Sequence, residues 1–169
     1  MGVEEGAVNP VSASLLAAWA HHGQTDKAGR PYIDHPRRVV ERLQAHPSFL
    51  SLSEAVQDTA LVTAWLHDVV EDTRLTISLL AELGVHRAAL LHIERLTRHR
   101  GQDPADYYGA ISSDPVTRLV KECDIADNSD PRRLARLPLD VQEKLVKKYT
   151  TACILLGLNP AEVGFLQER

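Results

Sequence analysis

Residues 60–72 read ALVTAWLHDVVED. Up to Leu66 the stretch is apolar almost all round a helix, which is the pattern of an element enclosed on every side. It then meets His67-Asp68 and, one helical turn later, Glu71-Asp72. A charge taken out of water is costly unless it is paired or coordinates a metal. This stretch therefore sets two expectations. One is a central helix running on through Val70 in an all-α core; the other is a partner for a histidine and three carboxylates at its end.

Helical periodicity continues through nearly every other segment, and no stretch sustains a period of two. Asn9-Pro10 reads as a cap and an N1 proline opening a first helix. Its Val11, Leu15, Ala18 and Trp19 share one face, the expected buried stripe. Residues 23–34, GQTDKAGRPYID, form a polar loop with two glycines and a proline. His35-Pro36 opens a second helix and leaves His35 at or near the cap. Val39, Val40 and Leu43 form its buried side, and His46-Pro47 ends it. Ser53 caps the helix that carries the opening stretch. Segments 76–83 and 85–97 lie on either side of Gly84, while 104–112 and 115–127 each follow an aspartate and start with proline. The last helix runs from about 139 to 156, with Val141, Leu145, Tyr149, Ala152, Cys153 and Leu156 spaced three and four apart. The expected architecture is a single compact all-α bundle of about seven or eight helices, one domain over residues 1–169.

Composition agrees with one ordinary globular domain: 44% hydrophobic and 25% charged residues in a chain of 169. Nineteen basic against 23 acidic residues leave a net charge of −4. That balance argues against a nucleic-acid partner held by general phosphate attraction, and leaves room for a local basic pocket taking a phosphorylated metabolite. Cys123 and Cys153 are too few for a disulfide framework or a cysteine zinc site, and both are expected as buried thiols. The start, MGVEEGAVNP, has no signal-peptide pattern, and no apolar run approaches a membrane span. A cytoplasmic protein with no membrane partner is expected. The sequence carries no readable signal for oligomeric state.

Several histidines and carboxylates keep unusual company. His67 and Asp68 leave their helix about 100° apart and can grip one ion from two sides. His35 stands at a helix start after a loop. Asp124 and Asp127 lie in LVKECDIADN, where Leu119, Val120, Cys123 and Ala126 suggest a largely buried helix. Two histidines with two or three carboxylates make a mixed nitrogen and oxygen site, suiting Mn²⁺, Fe²⁺ or Zn²⁺ better than Ca²⁺ or Mg²⁺. His46, His86, His92 and His99 read singly as surface ion pairs or satisfied core histidines. His21-His22 lie either over the first helix's apolar stripe or toward the loop. Taken alone, Glu71-Asp72 is a solvated helix end, and Asp124 and Asp127 are caps and ion pairs. Only the set together points to a centre.

Three segments carry a resemblance: AHHGQTDKAGRPYIDHP at 20–36, WLHDVVEDT at 65–73 and VKECDIADN at 120–128. In order and separation they resemble the HD-domain metal phosphohydrolases. More narrowly, they resemble the (p)ppGpp hydrolase branch found in bifunctional Rel/Spo proteins and small stand-alone hydrolases. That branch has patterns like AHxGQxRKxGxPYIxHP, LHDVVEDT and VKLADxxDN, and the likeness spans about residues 15–157. It implies one Mn²⁺-like ion, with Zn²⁺, Fe²⁺ or Co²⁺ as substitutes, held by His35, His67, Asp68 and Asp124. It implies that Glu71 and Asp72 orient and deprotonate the attacking water, that Lys27 reaches substrate phosphates, and that Asn128 and Tyr149 shape the nucleoside pocket. The implied reaction removes pyrophosphate from the 3′ position of a guanosine alarmone. A cation is then the missing partner of the opening stretch, since it reverses the pKa rise that crowded carboxylates otherwise suffer.

The chain also departs from the pattern. Asp26 stands where the family has an arginine expected to pack against the guanine base. An aspartate cannot stack as a guanidinium does, and it repels a polyphosphate. Ile125 replaces a second arginine, and the run after Asn128 is SDPRRL, with Arg132 and Arg133 as nearby cations alongside Arg30 of the first loop. These changes touch the nucleotide pocket and leave the metal and water-activating positions intact. Two alternatives follow: an HD hydrolase of another nucleotide or phosphorylated metabolite, or a non-catalytic HD module that binds a nucleotide. The pair Glu71-Asp72 weighs against the second. With the chain ending at Arg169, no synthetase is expected.

Overall fold

The computed structural model describes residues 7–161 and 163. The helices among them are α1 (Pro10–Ala20), α2 (Asp34–Ala45), α3 (Pro47–Leu50), α4 (Glu54–Leu66), α5 (Val69–Asp72), α6 (Ile77–Glu82), α7 (Arg87–Leu96), α8 (Pro104–Ser112), α9 (Pro115–Asn128), α10 (Pro131–Leu134) and α11 (Leu139–Leu156). Among the described residues the only extended pairing is one bridge, Thr25 with Pro31, across the first loop. The all-α expectation therefore holds. The short α3, α5 and α10 are single turns between the longer helices.

Local chemistry sets the ends. Asn9 accepts from the Val11 and Ser12 N–H groups in a capping box ahead of Pro10. Asp103 and Asp114 cap α8 and α9, each before an N1 proline. Gly157, at φ 65°, closes α11 in the left-handed conformation that glycine adopts without strain. None of the described helices is long and apolar enough to cross a membrane.

α4 is the axis, packed against α1, α2, α7 and α9. Two apolar clusters meet along it. One gathers Val39, Leu43, Ile111, Val120, Ile125, Tyr149 and Leu156 from α2, α8, α9 and α11, with Ala60 and Ala64 of α4. The other gathers Ala13, Ala17, Leu80 and Ile93 from α1, α6 and α7, with Val62 and Leu66 of α4 and Val69 of α5. Trp65 packs against both.

Two expectations change. The buried side of α1 is Ala13 and Ala17, while Val11, Leu15 and Trp19 are 71%, 68% and 67% exposed. Two alanines one turn apart let α1 approach α4 closely, because interaxial distance follows the size of the side chains at the contact. The larger residues, offset by two positions, are turned outward. The helix expected through Val70 also breaks at His67-Asp68. The Ala64 carbonyl, which a continuing helix offers to the Asp68 N–H, accepts from His67 Nδ1 at 2.8 Å. This side chain to backbone bond competes with helix propagation. Asp68, at φ −100° and ψ −6°, then starts the separate turn α5.

Burial yields a paired expectation for denaturant unfolding. Ile125→Ala, at a fully buried side chain, should lose about 2–5 kcal/mol. Leu15→Ser, on the outward face of α1, should change stability by no more than about 0.5 kcal/mol. Equal losses at both positions would contradict the α1 orientation.

Candidate metal centre and its pocket

Three elements deliver the side chains of the candidate metal centre. The first loop hands His35 to the opening turn of α2, the break after α4 presents His67 and Asp68, and α9 carries Asp124. His35 Nε2 lies 3.3 Å from Asp68 Oδ2 and 3.2 Å from Asp124 Oδ1. His67 Nε2 lies 3.0 Å from Asp68 Oδ2 and 3.8 Å from Asp124 Oδ1. One ligand atom from each of His35, His67 and Asp68 falls within 4.8 Å of the others. Asp124 adjoins both histidines at the edge of that trio.

Both Nε2 atoms are buried with no hydrogen-bond partner, so the carboxylates stand at ion-pair distance without hydrogen-bond geometry. The opposite ring nitrogens are occupied: His35 Nδ1 bonds Asp127 Oδ2 at 2.7 Å and His67 Nδ1 bonds the Ala64 carbonyl. Those partners are acceptors, so Nδ1 carries the hydrogen and the neutral ring turns its Nε2 lone pair inward. Burial disfavours the imidazolium at His35, yet Asp124, Asp127 and Asp68 outweigh it and raise its pKa well above the ordinary value. His67 is likewise lowered by burial, and Asp68 and Asp124 bring it up to about 9. Carboxylates that draw protons onto two rings draw a metal cation in their place. The cluster is therefore capable of coordinating a divalent metal.

The surrounding groups fix these side chains. Asp127, fully buried, accepts from His35 Nδ1, from Arg38 Nε at 2.7 Å and Nη2 at 3.1 Å, and from Arg133 Nη1. A carboxylate behind a metal-binding histidine sets its tautomer and ring orientation. Lys121 Nζ donates to Asp124 Oδ2 at 2.7 Å, and Asn128 Nδ2 to Asp124 Oδ1 at 2.6 Å. Burial alone would raise the Asp124 pKa, but Lys121 and the histidines hold it well below the carboxylate range. Tyr32 donates its hydroxyl toward Asp68 Oδ2 at 2.7 Å and Asp72 Oδ2 at 2.9 Å. Burial and these two carboxylates push its pKa far up.

The expected site residues thus converge, with some in different company. Glu71 accepts from the Arg98 N–H at 3.0 Å, and it lines the same pocket as Asp72, Lys27, Asn128 and Tyr149. Asn128 is turned onto Asp124. Asp26 is no loose repulsive charge: Oδ1 accepts from the Ala28 and Arg30 N–H groups, and Oδ2 from Arg133 Nη2 at 3.2 Å. Ile125 lies wholly in the core, so that departure from the family pattern falls outside the pocket. His21 is buried against the Tyr32 ring while His22 is exposed. His46 and His86 cap helices, and His92 and His99 pair with Asp114 and Glu94. The sequence reading gives Tyr32, Lys121 and Arg38 no role, although Tyr32 sits inside PYIDHP and Lys121 inside VKECD, and Arg133, expected only as a nearby cation, bonds Asp127.

The cavity above the cluster measures about 660 Å³ and is lined by His35, Asp68 and Asp124. Six cations also line it without an ion pair among the described residues: Lys27, Arg30, Arg98, Arg132, Arg136 and Lys148. Burial lowers the Lys148 pKa, and the neighbouring charges of Lys121 and Lys27 lower it further.

No family model matches the chain. It is 40% identical over 173 residues to the bifunctional (p)ppGpp synthase/hydrolase SpoT of Escherichia coli (strain K12), covering 90% of this chain and 23% of that protein. It is 27% identical over 139 residues to a probable guanosine-3′,5′-bis(diphosphate) 3′-pyrophosphohydrolase of Synechocystis, covering 76% of this chain and 17% of that one. The chain thus spans about a quarter or less of the length of these relatives. Among solved structures, a metazoan ortholog of SpoT that hydrolyzes ppGpp shares the fold, with a TM-score of 0.71 at 19% identity over 93% of this chain and 96% of that one. Sequence similarity over nine-tenths of its length and the buried His-His-Asp cluster match this chain to the HD-domain-like SpoT/Rel hydrolase family.

Proposed function

We propose that this chain is a metal-dependent phosphohydrolase that releases pyrophosphate from the 3′ position of guanosine (p)ppGpp, with Mn²⁺ as the working metal. The observation that carries the reading is the convergence of two buried imidazole nitrogens without hydrogen-bond partners among the described residues with Asp68, beneath a pocket lined by six cations that form no ion pair among the described residues. Such a pocket is charged for a substrate with several phosphates, and the SpoT relative supplies the substrate class.

In this reading His35, His67, Asp68 and Asp124 hold the ion, with Asp127 orienting His35 and Lys121 and Asn128 fixing Asp124. Once bound, the ion supplies Lewis acidity at a phosphoryl oxygen and makes water more acidic. Glu71 and Asp72 orient the water and take its proton as its oxygen bonds to the 3′ phosphorus. The O3′–P bond breaks, the ribose 3′ oxygen leaves and regains a proton from the acidic pair or from solvent, and pyrophosphate carrying the water's oxygen is released. Lys27 and the other unpaired cations stabilise the phosphate charge, and Asn128 and Tyr149 border the nucleoside. Asp26 supports a second reading, in which the base is not guanine, because no arginine stands at that position to stack on it.

The test is Mn²⁺-dependent release of pyrophosphate from ppGpp beside a panel of other nucleotides. Asp72→Ala is expected to lower turnover by at least about a hundredfold, the lower range for loss of general base catalysis. Cleavage of another nucleotide in place of ppGpp moves the conclusion to the second reading, and metal binding without cleavage of any of them overturns both. Binding also has a stability signature. Mn²⁺ at about a hundred times its Kd adds about 2.7 kcal/mol, which for a chain of this size raises Tm by about 5–10 °C. Asp127→Asn, which spares volume and removes the charge behind His35, should weaken Mn²⁺ binding by about 10–100-fold; unchanged affinity would separate Asp127 from the centre.

A further inference from the structure

The first loop grips Asp72 at both its side chain and its backbone. The Tyr32 hydroxyl stands 2.7 Å from Asp68 Oδ2 and 2.9 Å from Asp72 Oδ2. Gln24 Nε2 donates to the Asp72 carbonyl oxygen at 3.0 Å. The Gln24 carbonyl in turn accepts from the Tyr32 N–H at 3.0 Å, so the two grips share one piece of backbone. Behind the Tyr32 ring lies His21, with centroids 4.7 Å apart and the planes at 37°. His21 Nδ1 is 2.8 Å from Gln24 Oε1. Because the Gln24 amide nitrogen donates to Asp72, its oxygen must accept, and His21 Nδ1 supplies that hydrogen.

We infer that Tyr32 is a positioning residue, one hydroxyl spanning Asp68 and Asp72 and thereby setting the distance between the metal-binding cluster and the carboxylate that takes the proton, with Gln24 and His21 fixing the tyrosine in turn. The inference rests on the phosphohydrolase reading for the role of Asp72. Tyr32 itself contacts neither the reacting water nor the phosphate in this scheme; it acts through the two carboxylates.

The geometry gives the reason for such a device. Asp68 is anchored next to His67 in the helix break, whereas Asp72 lies at the exposed end of the four-residue α5. A single turn has little internal rigidity, since short isolated helical segments are held by tertiary contacts more than by their own bonds. An exposed aspartate there samples several rotamers unless something holds it. Misplacing a reacting group by about 1 Å costs on the order of a hundredfold in rate. Tyr32 and Gln24 supply two restraints on Asp72, one at its carboxylate and one at its backbone carbonyl, and only the first also touches the candidate metal cluster.

That difference makes the test. Tyr32→Phe removes one oxygen and keeps the ring against His21. It should lower kcat for pyrophosphate release by about 10–100-fold with KM within about twofold, and should weaken Mn²⁺ binding in titration calorimetry by about tenfold. Gln24→Leu frees the Asp72 backbone and leaves the hydroxyl bridge in place. It should lower kcat while Mn²⁺ affinity stays within about twofold of the unmutated protein. Tyr32→Phe with both kcat and Mn²⁺ affinity unchanged overturns the inference. A change confined to KM does so as well, because it makes Tyr32 a substrate contact. If the unmutated protein cleaves none of the nucleotides, the phosphohydrolase reading fails by itself, and Mn²⁺ affinity then decides on the bridge: loss with Tyr32→Phe alone upholds it, and no loss removes it.

Discussion

Crowded negative charge is the constraint on which the rest of the structure depends. Asp68, Asp124 and Asp127 all lie within 3.3 Å of a nitrogen of the one buried ring of His35. Two like charges about 4 Å apart repel by about 4 kcal/mol at the effective dielectric of a protein. The protein answers with a countercharge or a donor for each carboxylate: Arg38 and Arg133 on Asp127, Lys121 and Asn128 on Asp124, Tyr32 on Asp68. What those partners leave uncovered is the inward edge of the two imidazoles. The fold serves this arrangement. α2, α4 and α9 must meet at one place, and the largely apolar run from Ala60 to Leu66 of α4 is what lets them.

How much of this was legible in the sequence depended on which physical signal each part used. Caps, prolines and three-and-four spacing fixed α8, α9 and α11 to within a residue, because those signals are local. The α1 face differs from its apolar pattern for the opposite reason. Large apolar side chains look like a core stripe, but close approach to α4 selected the small Ala13 and Ala17, and nothing within α1 itself reveals what it packs against. The break at His67-Asp68 was hidden because no glycine or proline marks it; the interrupting bond is made by the histidine's own side chain to Ala64.

The same distinction holds in the site. The convergence of His35, His67, Asp68 and Asp124 is legible because residue types that can bind a metal are few and their company in the sequence is unusual. Tyr32 and Arg38 act through partners 36 and 89 residues along the chain, so each looks ordinary in its own neighbourhood, whereas Lys121 and Arg133 bond near neighbours and read as common surface ion pairs. Asp26 is the most instructive case. As text it is a charge reversal in a phosphate-binding loop; in space it organises that loop through two backbone N–H groups and leans on Arg133, which also bonds Asp127. One arginine thus joins the pocket loop to the carboxylate behind His35.

The division of the interior into two apolar clusters has a mechanical consequence. His35 and Asp124 belong to helices packed in one cluster, α2 and α9, while Asp68 opens α5, whose Val69 is packed in the other. Any ion gripped by all of them works as a rivet across the seam. Without it, the halves are joined through α4, through the packing of α7 on α8 and α9, and through the first loop's hydrogen bonds to Asp68 and Asp72. In the proposed reading, a bound ion would add coordination bonds across that same seam and resist play between the two sides.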